Sequence, residues 1–264
     1  MSQSPYKLAF EDFREGFFAY PIWLRLAWQE IKLQYRRSLL GPFWVTLTTG
    51  ILIIGMGPLY GQLFNQPMGS YIRYLAISFV IWNYLAGTLN EVCNSFIVAE
   101  GFIKQIKLPY SLYVLKVIAK NVILLFHNVL IIIVVLLFFP PENGWLIPLS
   151  FIGLILVTLN LFWIGLMLAM LGARFRDIPP IVSSVVQLLF FLTPILWEVS
   201  ALGSKKSLIE FNFLYHFIEI VRAPLLGQMP QLLSWIVMLG LLIFGSIGTF
   251  FFFARHRAKI SYWV

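Results

Sequence analysis

Charge is scarce in this 264-residue chain: only 11% of residues are Asp, Glu, Lys or Arg, against about a quarter in ordinary soluble domains. Cysteine is nearly missing. With Cys93 alone, an intrachain disulfide and a cysteine-built metal cluster are both excluded. The three histidines, His127, His216 and His256, are scattered, and no metal site is expected. No G-x-x-x-x-G-K-[ST] occurs, so the chain carries no P-loop, and "GSKKS" (Gly203–Ser207) has the wrong spacing. Neither H-E-x-x-H nor G-x-S-x-G is present, and nothing argues for an enzyme. The first sixteen residues carry three acidic side chains and no apolar core, so they do not read as a signal peptide. Internal repeats and low-complexity linkers are also missing.

What the chain has is apolar length. Hydrophobic residues make up 60% of it, with a mean hydropathy of +0.86. A membrane-spanning helix needs roughly 20 such residues. Six runs qualify, at about 43–64, 74–97, 118–139, 146–171, 178–197 and 232–254. The predicted fold is an all-α integral membrane protein with six transmembrane helices. Residues 1–37 form an amphipathic interfacial segment and 38–264 the membrane domain.

Orientation follows from charge. Fifteen of the nineteen Lys and Arg lie in segments on the N-terminal side of these runs. The positive-inside rule then puts both termini in the cytoplasm and accounts for the net charge of +8 without nucleic acid.

Three segments outside the runs have a pattern of their own. In Ile22–Arg37, Leu24, Trp28, Ile31 and Tyr35 share one helical face, and Arg25, Gln29, Lys32 and Arg36 the next. A basic amphipathic helix with tryptophan suits a membrane surface. Pro21 separates it from an earlier piece, Ser4–Tyr20. In the loop after the second run, Phe102, Ile103 and Ile106 form a short apolar patch of the kind that docks on a partner protein. Residues 198–231 are too apolar for a solvated loop, and Glu210, Glu219 and Arg222 make them a poor span. A re-entrant helical hairpin fits.

Polar groups inside the runs are function candidates by default. Asn83, Asn90 and Glu91 stand in the second and His127 and Asn128 in the third. Glu91 and His127 could form a proton relay, and hydrogen bonding between helices is the competing reading. Aromatics reach 17%, and Phe190, Phe191, Trp197, Phe213, Tyr215 and Phe217 gather around the fifth run and the following loop. Rings there could line a sugar path or face lipid.

At the doorstep of the first run, "QYRRSLLGPFW" (Gln34–Trp44) puts Arg36 and Arg37 beside a helix start. Pro42 fits a first turn, and Ser38 or Gly41 could cap it. Guanidinium groups next to free N–H donors suit phosphate oxygens. Headgroup anchoring is the alternative.

Five motifs converge on one resemblance: "RRSLLGPFW", "EGFIKQIKLP", "ARFRDIPPIVSSVVQLLFFLTPILW", "FLYHFIEIVRAPLLGQ" and "KISYWV". Together they resemble the membrane subunit of ABC transporters that export polysaccharide, most of all the O-antigen export permeases. The resemblance implies a homodimer of six-span subunits with two copies of a separate ATPase that binds ATP and magnesium, so this chain needs no cofactor. It implies that Glu100, Gly101, Phe102, Ile103 and Lys104 belong to the coupling helix that docks on the ATPase. It further implies gate helices over 207–229, a pore between two copies, and a glycan on polyprenyl diphosphate as cargo in the bacterial inner membrane. Other cargoes (capsular glycan, teichoic acid, lipid or drug), a proton-coupled transporter and a scaffold remain as alternatives.

Overall fold

The computed structural model describes residues 4–264, and these are helical throughout apart from short connections. Two helices precede the membrane segments, α1 (Pro5–Phe18) and α2 (Tyr20–Gln34). The chain bends at Ala19, and Pro21 sits in the first turn of α2, where its missing N–H costs nothing. The first span is α3 (Phe43–Leu63) and the second α4 (Met68–Val92). Short helices α5 (Ser95–Val98) and α6 (Glu100–Gln105) lead to α7 (Tyr110–Phe138). A 3-10 turn opens α8 (Ile147–Arg174), followed by α9 (Ile178–Leu192). After a 3-10 stretch over Val199–Phe211 come α10 (Phe213–Leu225), α11 (Leu232–His256) and α12 (Ile260–Trp263).

Five helical segments among the described residues are long and apolar enough to cross a membrane: Phe43–Leu63, Met68–Val92, Tyr110–Phe138, Gly144–Arg174 and Leu232–Trp263. The expected boundaries of three helices shift. The second helix starts at Met68 rather than 74 and stops at Val92, short of 97. The third begins at Tyr110, eight residues before 118, because Lys116 and Lys120 find acidic partners and need not be excluded from the helix. The fifth stops at Leu192 instead of 197. Its 15 residues rise about 22 Å, less than a hydrocarbon core. Pro194 explains the stop: a proline cannot continue the ladder, and it pushes Thr193 into extended geometry, ψ 139°.

α4 is the centre of the bundle, with 72% of its apolar stretch buried, whereas α3 buries only 17%. α10 lies in the interior too. Its residues from Leu214 to Leu225 are buried except Glu219, and the Ile220 carbonyl stands 2.5 Å from where a Cβ on Gly153 of α8 would be. That close approach is why position 153 takes glycine.

The amphipathic pair is fastened to the bundle rather than lying free. α2 buries Ala27 and Ile31 against α7, while Leu24 and Trp28 stay exposed on the expected apolar face, with the Lys32 ammonium over the Trp28 ring. α1 is held by Asp12, which is 2% exposed. Its carboxylate accepts hydrogen bonds at 3.0 Å from the N–H groups of both Tyr110 and Ser111. Pro109, the residue before α7, has no side-chain oxygen to cap those donors, so Asp12 caps them from another helix. Arg257 completes the charge balance at 2.9 Å. Phe13 stacks on Phe253, 5.1 Å between centroids, so the two chain ends meet on one face of the molecule.

Candidate functional site

The expected site residues fall into four places. The first is the elbow between α2 and α3. Tyr35–Pro42 turns on two left-handed residues, Arg37 (φ 68°) and Gly41 (φ 57°). Ser38 Oγ accepts the Gly41 N–H at 3.1 Å, so it closes this turn and does not cap the helix as expected. Arg36 and Arg37 are both exposed. A left-handed arginine is unusual, and nothing in the sequence marks it, since Gly and Asn are the normal choices there.

Beside the elbow, a cavity of about 450 Å³ opens between α3, α4 and α7. Its walls hold Asn83, Glu91, Asn121 and Asn128, and Tyr35 and Trp44 stand at the elbow side. Asn83 donates to Thr49 Oγ1 at 3.0 Å. Asn121 donates to a Glu91 carboxylate oxygen at 3.0 Å. Lys120 lies behind, its side chain 7% exposed, bridging Glu91 at 3.0 Å and Glu30 of α2 at 2.9 Å. Lys116 reaches the other Glu30 oxygen at 2.6 Å. Burial opposes ionisation of Glu30, but the two lysines outweigh it and hold its carboxyl below the usual range.

This network overturns the proton-relay pairing. Glu91 is taken by Lys120 and Asn121, while His127 Nδ1 bonds the Ile123 carbonyl at 2.8 Å and its ring meets Phe43 edge-on. Asn90 does not line the cavity, and its buried Oδ1 has no partner among the described residues. Asn121 and Lys120 were the missed members. Lys120 could have been found only from its register on α7, one turn before Leu124.

The third place is α6, the short helix at Glu100–Gln105. No residue of it is buried, and Phe102 is 54% exposed. Glu100 and Lys104 pair at 2.7 Å across one turn, flanking Gly101, and Ile103 leans on the bundle.

The fourth is the far end of the bundle, where Thr193–Trp197 follows α9 as a non-helical segment. Three side chains satisfy its carbonyls. Tyr71 donates to Leu196 O at 2.6 Å, and Tyr74 Oη lies 2.7 Å from Pro194 O and 2.9 Å from Trp197 O. Arg222, 1% exposed, also reaches Pro194 O and holds Glu219 at 2.6 Å. The aromatic set divides here. Trp197 and Phe213 line a shallow cleft of about 430 Å³, and Phe191 is 61% exposed. Phe190 packs on Phe79 and Trp82. Tyr215 and Phe217, at 3% and 0% exposure, are interior side chains.

The whole is an apolar helical bundle with a polar cavity beside the elbow and a short exposed helix, the architecture of a multi-pass membrane protein. Residues 22–226 match the family described as ABC-2 type transporter, and the chain belongs to that family. It is similar to the O-antigen export system permease protein RfbA of Klebsiella pneumoniae, 24% identical over 189 residues that cover 70% of this chain and 72% of the relative. The RfbA permease of Myxococcus xanthus is 21% identical over 187 residues, covering 70% and 71%. Membership makes the chain a multi-pass permease of the bacterial inner membrane that works with an ATP-hydrolysing partner.

Proposed function

We propose that the chain is the permease of an ATP-driven exporter that moves a polysaccharide linked to polyprenyl diphosphate through a pore between two copies. The observation that carries the cargo is the likeness to O-antigen export permeases across 70% of the chain. The reading has six crossings, an even number that agrees with α1 packing on the end of α11. α9 with Thr193–Trp197 supplies the sixth, and α10 is the buried limb of a re-entrant hairpin. The apolar faces left open on α3 and on α9 (Ile181, Val185, Leu188) suit a second copy.

The ATPase docks on α6. Reconstituted with its ATPase, the permease exports the lipid-linked glycan on ATP addition, and Phe102→Asp abolishes that export while inserting normally. Unchanged export and co-purification of the ATPase would remove α6 from the interface.

Arg36 and Arg37 receive the diphosphate at the elbow. Arg37→Ala is the informative change, since alanine bears the same left-handed backbone cost that arginine already bears and only the guanidinium is lost. Export falls at least tenfold while insertion holds. Near-normal export would leave the arginines as headgroup anchors.

A further inference from the structure

The cavity between α3, α4 and α7 has chemistry that the elbow arginines do not share. Its charges cancel internally: Glu30 and Glu91 face Lys116 and Lys120, each within 3.0 Å of a partner. An anion entering here would meet the Glu91 carboxylate, and a cation would have to displace Lys120. What stays unpaired is amide capacity. Asn128, 3% exposed, lines the cavity, and its enclosed Oδ1 has no hydrogen-bond partner among the described residues. Buried carboxamides without a partner are rare and cost about 1–3 kcal/mol. Beside it Trp44 presents its indole, 54% exposed, and Tyr35 a phenol. The volume of about 450 Å³ falls within the roughly 300–1,000 Å³ of ligand pockets.

An unpartnered carboxamide, an open aromatic face and no free charge select a neutral ring rich in hydroxyl groups. We infer that this cavity binds the sugar of a glycosylated membrane lipid, held by Asn128 and stacked on Trp44. The ring has two sources, the cargo's lipid-proximal sugar or a membrane glycolipid, and only the first rests on the export reading.

The test uses the permease–ATPase complex in phosphatidylglycerol nanodiscs, with retained lipid measured by titration and native mass spectrometry. Three probes separate the sources: polyprenyl diphosphate carrying one N-acetylglucosamine, the same lipid without sugar, and monoglucosyl diacylglycerol. Asn128→Leu weakens retention of the sugar-bearing lipids roughly fivefold to tenfold, the worth of one hydrogen bond, and leaves sugar-free polyprenyl diphosphate unchanged. Because the Asn128 amide has no protein partner to lose, this variant also melts at or above the wild-type temperature. Trp44→Ala, at an exposed position, weakens the same probes and decides the matter if Asn128→Leu does not fold. Dependence confined to the polyprenyl-linked sugar assigns the ring to cargo, and dependence of monoglucosyl diacylglycerol assigns it to a membrane glycolipid.

Equal retention of every probe by wild type and variants means that the cavity holds only water, and overturns the inference. ATP-driven glycan export alongside such equal retention sinks the cavity and leaves the export reading standing. Sugar lipid held through Asn128 by a complex that exports no glycan does the reverse.

Discussion

Arg222→Met leaves little folded permease in the membrane, a loss of roughly 3–5 kcal/mol against a total stability of about 5–15 kcal/mol. Arg222 is 1% exposed and joins three structural pieces. It pairs with Glu219 on its own helix, reaches Tyr74 at 2.8 Å and Ser78 at 3.1 Å on α4, and bonds the Pro194 carbonyl. Removing it strands a carboxylate in the interior and takes one donor from the non-helical Thr193–Trp197 segment. The cost is dominated by the stranded partner, because a broken buried pair is worse than an absent one. Adding Glu219→Gln therefore restores part of the loss. Thermal unfolding of the detergent-purified protein reads both effects. An Arg222→Met protein melting with wild type, or a double variant no better than the single one, would show that the cluster carries no such energy.

Lys120→Met has the second-largest effect, about 3 kcal/mol, and acts at the opposite face. One ammonium neutralises parts of two carboxylates, Glu30 on α2 and Glu91 on α4. Without it Glu91 keeps only the Asn121 amide, and Glu30 keeps Lys116. α2 loosens from α7, which limited proteolysis of intact proteoliposomes detects as cleavage within Tyr20–Gln34. The tie also has a pH signature. Because the two lysines hold the folded Glu30 carboxyl below the usual glutamate range, its contribution is complete above that range. It fades as pH falls through the depressed folded value, and it does not change around neutrality. Wild-type proteolysis that rises between neutral and mildly alkaline pH would contradict this assignment.

Much of the bundle was legible because apolar length and a lopsided distribution of lysine and arginine are local properties of the chain. The errors came where partners are remote. Lys116 and Lys120 look like boundary charges until Glu30, about ninety residues earlier, is placed beside them. Asp12 reads as one more acid in a charged leader, yet it caps a helix that starts at residue 110. The fifth run has no charge to interrupt it, so counting apolar residues carried it to Trp197. Pro194 was the available signal for an earlier stop. Tyr215 and Phe217 could not be sorted from Phe213 by composition, since enclosure of α10 by α4, α8 and α11 decides which rings see an open surface. Asn128 sits next to His127, and only the rotation of α7 says which of the two meets the cavity.

The Tyr35–Pro42 elbow has a mechanical consequence. α1 and α2 are riveted: Asp12 ties one to α7 and Arg257, and Glu30 ties the other to two lysines of α7. The elbow's own hydrogen bonds run only between neighbours in sequence. α3 beyond it is the span with the least buried apolar stretch together with α11. A push delivered to the stiff plate therefore has one soft joint through which to travel. Compliance is concentrated at two left-handed residues, and the element they release is the wall of the polar cavity.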